Sequence, residues 1–216
     1  LSLMQNTKQN KMSKIKHIDF ENIESKFEKT LTLPEYKKFL DDFNSAKQVF
    51  VVANGGLWAV ANHASDDCNR LFKKANINKI VHSMDSACMI TSVANDYGWN
   101  NLFIKWLEIY INENHDTKDI MVVGLSCSGG SKNVISALHW AKEKGCKTGL
   151  ISGYDAKVLP EDINQVCLNT KYFHTTEVLT LILFYELIHA CGASCPTIKD
   201  EVVRKSVSQP ISRPLK

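Results

Sequence analysis

Five short apolar runs constrain this chain more than any other feature. Gln48–Ala53, Lys79–Met84, Asp119–Leu125, Cys146–Ser152 and Gln165–Leu168 read as strands without polar alternation. A strand that is apolar at consecutive positions is buried on both faces, the condition of strands inside a helix-covered parallel sheet. Stretches of helical period lie between the runs, at about 57–74, 86–95, from Ser131 to Lys144, and 173–190. The alternation predicts an α/β sandwich built on a parallel sheet. Two helices precede the first strand. One covers 19–29, with Phe20, Ile23 and Phe27 on one face. The other is capped by Thr32, has Pro34 in its first turn, and carries the stripe Tyr36, Phe39, Leu40 and Phe43.

The chain has 216 residues, 44% hydrophobic and 23% charged, enough for one domain with a sizeable core. That domain is expected over 19–198, between a flexible N-terminal tail (1–18) and a basic C-terminal tail (199–216). The net charge of +3 sits in the tails. Residues 1–18 carry four Lys and no acid, and 199–216 carry a net +3, which leaves 19–198 at −4. The body therefore offers no broad phosphate-backbone surface, and nucleic acid is not an expected partner. The longest apolar stretch, Val178 to Ile188, is too short to span a bilayer, so no membrane partner is expected. Seven scattered Cys without a Cys-x-x-Cys pair, and no signal-peptide pattern, point to a reducing, cytoplasmic setting.

In a parallel sheet, ligands bind outside the carboxyl ends of the strands, where two Gly-rich loops fall. Ser126-Cys127-Ser128-Gly129-Gly130-Ser131 joins a strand to a helix N-terminus. Its hydroxyls and backbone N–H groups suit an anion, and the absence of a nucleotide P-loop Lys favours a sugar phosphate over a nucleoside triphosphate. The other reading is a turn that caps the helix through Ser131. Asn54-Gly55-Gly56 follows the first strand. On the next helix His63 and Asp67, four apart, suit a metal pair, an acid/base pair or an ordinary helix contact. Asn95-Asp96-Tyr97-Gly98 reads first as a helix stop. His174 and Glu177 open the last helix, where an acid also suits the helix dipole.

Together these pieces resemble the sugar isomerase (SIS) domain family, and within it the phosphoheptose isomerases, which convert sedoheptulose 7-phosphate to a heptose phosphate. The resemblance covers about 47–190. It rests on Ala53-Asn-Gly-Gly56, His63, Asn95-Asp-Tyr-Gly98 and Gly124-Leu-Ser-Cys-Ser-Gly-Gly-Ser-Lys-Asn-Val134. It implies a three-layer α/β/α sandwich with a five-stranded parallel sheet, and a homo-oligomer, a tetramer, with active sites between subunits. It implies that Ser126, Ser128 and Ser131 hold the phosphate. Asn54, Gly55, Gly56, Asn95, Asp96 and Cys127 would line the sugar.

The chain departs from the family pattern. Leu57 stands where a Ser is usual, Cys127 where Thr is usual, and Asp67 where the family has a catalytic Glu. The family's last helix presents a Gln and, eight residues later, a catalytic His. Alignment puts His174 and Ile182 there, or Thr176 and Phe184 after a two-residue shift. Asp67 is then the expected carbon base and His174 the expected second acid/base. Some family members bind zinc at the corresponding positions, and His63, Asp67, His174 and Glu177 would form an altered set. Two function classes follow. One is a phosphosugar aldose–ketose isomerase, with altered phosphosugar chemistry as a weaker variant. The other is a non-catalytic sugar-phosphate-binding regulatory protein of the kind this family also contains.

Overall fold

The computed structural model describes residues 23–111, 116–156, 159–160 and 162–199. Residues 1–18 and 200–216 of the tails, and the 19–22 part of the first expected helix, lie outside the described residues. Five strands, β1 (Gln48–Ala53), β2 (Ile80–Ser83), β3 (Ile120–Ser126), β4 (Lys147–Ser152) and β5 (Asn164–Cys167), form one sheet in the order β2-β1-β3-β4-β5. Every pairing is parallel; Val49 lies opposite Val81 on one side and Met121 on the other. All seven residues of β3 are buried, as its central place and continuous apolar sequence require.

Helices cover both faces. On one face lie α1 (Ile23–Leu31), α2 (Pro34–Ser45), α3 (Gly55–Lys74) and α7 (Phe173–Ala190), around a core that includes Phe39, Phe43, Phe72, Leu183 and Phe184. On the other lie α4 (Ala87–Tyr97), α5 (Leu102–Tyr110) and α6 (Lys132–Glu143), packed on Phe50, Val52, Val122 and Leu150. This is the expected three-layer sandwich. Pro34 opens α2 at the position where its missing N–H costs nothing. Leu33, not Thr32, is the residue before it; the Thr32 hydroxyl instead donates to the Lys29 carbonyl at 2.8 Å, closing α1. Ser86 caps α4 through the Met89 N–H, and Gly98 ends it at φ +80°.

One helix was not expected. Helix α5 had no counterpart in the sequence reading, although Leu102, Phe103, Trp106 and Leu107, all buried, have the spacing of one helical face. It carries the crossover from β2 past β1 to β3. The α2 stripe faces this chain's own core. Phe39 and Phe43 are fully buried in this chain's own core and Tyr36 nearly so. Truncating either Phe to Ala would cost about 3–5 kcal/mol. Apolar side chains are exposed instead on α7 (Phe173, Val178 and Ile182) and around α4 and α5 (Tyr97, Trp99, Ile109 and Tyr110).

Candidate functional site

Strand β1 leads through α3 to β2 on one side and is paired with β3 on the other, so the loops leaving β1 and β3 diverge and open a crevice. The β3 loop closes on itself. Ser126 is buried; its hydroxyl lies 3.0 Å from Ser131 Oγ and accepts the Ser131 N–H at 3.4 Å. Gly129 adopts φ +70°, and a Cβ there would strike Ala156 and the Tyr154 carbonyl, so the turn requires glycine. The Gly130 N–H donates to Ser128 Oγ at 3.3 Å, with Ser128 exposed at the rim. Ser131 is the N-cap residue of α6 but makes no side-chain capping bond, so its hydroxyl serves the loop and not the helix. A turn of this shape at a helix N-terminus gathers N–H groups toward an oxyanion.

The β1 loop is fastened to the same helix. Asn54 and Asn133 exchange amide hydrogen bonds of 2.8 and 2.9 Å, and Asn133 Oδ1 also accepts the Val134 N–H. Sequence reasoning singled out Asn54 and missed Asn133, whose signal was an amide at a buried position in the first turn of α6. Leu57 points into the core, so the family's Ser position offers nothing to a ligand here.

Gly56 has the Glu177 carboxylate in the space its own side chain would fill. His174 Nδ1 lies 3.4 Å from Glu177 Oε2, with the imidazole largely exposed. Cys127 Sγ is 4.0 Å from the Phe173 carbonyl. Burial pushes that thiol's pKa up and the Glu177 charge adds to the shift, while a hydrogen bond with Thr176 opposes it. Gly56, Cys127, His174 and Glu177 therefore share the crevice with the serine loop.

A second cluster lies further along the seam between α3 and α7. Tyr185 donates its phenolic proton to Asp67 Oδ2 at 3.0 Å. His63 Nε2 lies 3.1 Å from the same oxygen and 3.3 Å from the Tyr185 hydroxyl. The Arg70 guanidinium bonds Asp67 Oδ1 and, through Nε at 2.9 Å, Asp66. Only 15% of the Asp67 side chain is exposed, so the carboxylate is sheltered among these donors. Burial, then the bond to Asp67 and its charge, push the Tyr185 pKa up to about 12, so it remains a phenol. Tyr185 was not singled out in the sequence.

The remaining residues of the sequence reading stand apart. Asn95 donates to Asp96 Oδ1 at 2.9 Å on the exposed end of α4. That is about 12 Å along the helix from Ala87. His63, Asp67, His174 and Glu177 divide into two pairs and do not form the expected four-membered zinc set within one chain. Among the described residues, no group of three or more His, Cys, Asp or Glu is arranged to hold a metal ion.

No family model matches the chain. The phosphoheptose isomerase of Fusobacterium nucleatum is 34% identical over 133 residues, covering 62% of this chain and 66% of that one. That of Syntrophotalea carbinolica is 33% identical over 147 residues, 65% of this chain and 72% of the relative. The chain belongs to the phosphoheptose isomerase family. It spans 58–66% of the length of several other curated relatives it matches. The solved phosphoheptose isomerase of Francisella tularensis superposes with a TM-score of 0.64 over 80% of this chain and 93% of that one, at 18% identity, and so shares the fold.

Of the α7 positions named by the two sequence alignments, His174 is exposed. Thr176 and Phe184 are buried, and Ile182 faces outward. Two α7 residues eight apart meet α3: Glu177, against Gly56, and Tyr185, against His63 and Asp67. His174 is one turn off this line. Among the described residues, no helix is long and apolar enough to cross a membrane.

Proposed function

We propose that this chain is an aldose–ketose isomerase of a phosphorylated ketose of the sedoheptulose 7-phosphate class. The observation that carries the reading is the pairing of the sheltered Asp67 carboxylate with a phenol and an imidazole, on the same two helices that begin at the serine-loop crevice. The serine loop holds the phosphate. Asp67 takes a proton from the carbon beside the carbonyl, leaving an enediol, and returns it to the neighbouring carbon. The Tyr185 hydroxyl and His63, in contact with each other, move the proton between the two sugar oxygens.

Asp67 lies eleven residues beyond Gly56, about 16 Å along α3, farther than a seven-carbon sugar phosphate reaches. This spacing supports a site shared between subunits, with the phosphate loop of one copy facing the Asp67 cluster of another. Val178 and Ile182, exposed four residues apart on α7, offer apolar surface for such contact, and a tetramer provides the closed arrangement. The free cysteines accord with a reducing, cytoplasmic setting. Incubation with a panel of phosphorylated ketoses, followed by NMR, tests the reading. Conversion to the aldose supports it; binding without conversion moves the chain to the regulatory class.

A further inference from the structure

Asp67 and His63 stand where a metal would have to be held, and every donor atom they offer inward is already engaged. Asp67 Oδ1 accepts from Arg70, and Oδ2 accepts from Tyr185 and lies within bonding distance of His63 Nε2. The Tyr185 proton goes to the carboxylate. His63 Nε2, facing that carboxylate oxygen and the Tyr185 hydroxyl oxygen, must therefore carry the hydrogen. A nitrogen bearing a proton has no lone pair for a metal. A neutral phenol is a poor ligand beside imidazole or carboxylate.

We infer that this chain dispenses with a metal at the His63–Asp67 pair, with the Arg70 guanidinium as the fixed cation on the carboxylate and Tyr185 as the donor that orients it. Arg70 is a positioning residue here. Its guanidinium spans Asp66 and Asp67, one turn back along α3, and so holds one carboxylate rotamer. A divalent ion would have to displace that guanidinium and strip the proton from His63 together.

The inference concerns the Asp67 site of the proposed isomerase, but its test uses zinc alone and no sugar, so it stands or falls separately from turnover. The full chain, stripped with chelator, is titrated with zinc by calorimetry and its metal content measured after dialysis. His63→Ala serves as the control for zinc held elsewhere, on cysteines for example. The expected result is that wild type and His63→Ala take up the same zinc. The double variant Arg70→Ala/Tyr185→His should gain a site at least about tenfold tighter than any in wild type, lost again when His63→Ala is added. Thermal melting checks that the variants fold, and Arg70→Ala/Tyr185→Phe, which frees the carboxylate without adding a ligand, serves if the first does not. It should take up more zinc than wild type, again through His63. Zinc in wild type that His63→Ala removes would overturn the inference. So would a folded variant with no gain.

Discussion

Tyr185 reaches across the seam between α3 and α7 to donate to Asp67, while eight residues earlier on the same helix Glu177 fills the space over Gly56. Two rows of contacts two turns apart fix how the helices run together. They tie the cluster of His63, Asp67 and Tyr185 to the helix that begins at the crevice.

Asp67→Asn keeps the shape of the side chain and removes the base. Turnover of a phosphoketose should fall by at least about 100-fold, with binding by calorimetry largely kept. Tyr185→Phe removes one hydroxyl from the cluster and should lower kcat while the protein still melts cooperatively. His174→Gln should leave kcat little changed, because that imidazole is exposed and bonded to Glu177 instead of Asp67. A large kcat loss in His174→Gln with none in Tyr185→Phe would reverse the assignment.

Ser128→Asp places a carboxylate on the rim of the serine loop, where the wild-type hydroxyl is exposed and the loop is closed by Ser126 and Ser131. Folding should persist and phosphosugar binding should be lost through like-charge repulsion. Unchanged calorimetric affinity would put the anion elsewhere.

The sheet was legible because β1 and β3 are nearly unbroken apolar runs, a pattern with few other solutions. The serine loop was legible because Gly129 and its neighbours allow little else between a buried strand and a helix. The α7 register was not. Its apolar residues run around the whole circumference, so no stripe marks which side faces α3, and only the contacts of Glu177 and Tyr185 select it. Helix α5 was missed although Leu102, Phe103, Trp106 and Leu107 share a face. Arg70 was invisible for another reason: an Arg one turn beyond an acid is ordinary helix chemistry, and only tertiary placement gives it a role.

His82 supplies a pH effect apart from the site. Its ring stacks on Phe50 at 4.6 Å and on Tyr110 at 5.8 Å, and its buried Nε2 has no hydrogen-bond partner among the described residues. Burial lowers its pKa below the ordinary 6.5. The unfolded chain therefore binds a proton that the folded chain refuses, and stability should fall as pH drops from about 6.5 toward the folded-state value. Above that range this histidine adds no pH dependence. His82→Phe keeps the stack and should flatten this part of the acid limb in thermal melts; an identical limb would show that His82 is solvated when protonated.

A shared site makes the last prediction. Asp67 lies about 16 Å along α3 from Gly56 at the crevice, so under the proposed reading each site should take the loop from one copy and the base from another. Light scattering at micromolar concentration should give a tetramer, or at least a dimer. Ile182→Glu, on the exposed apolar face of α7, should shift the mass toward monomer and abolish turnover while leaving the folded core intact. Complementation separates shared from private sites. Asp67→Asn and Ser128→Asp should each be inactive alone. Co-expressed, they form mixed oligomers in which some interfaces pair an intact loop with an intact Asp67, and part of the activity should return. If every mixed preparation stays as inactive as its parents while the oligomer forms, the loop and the base act within one chain, and the α3 spacing has another explanation.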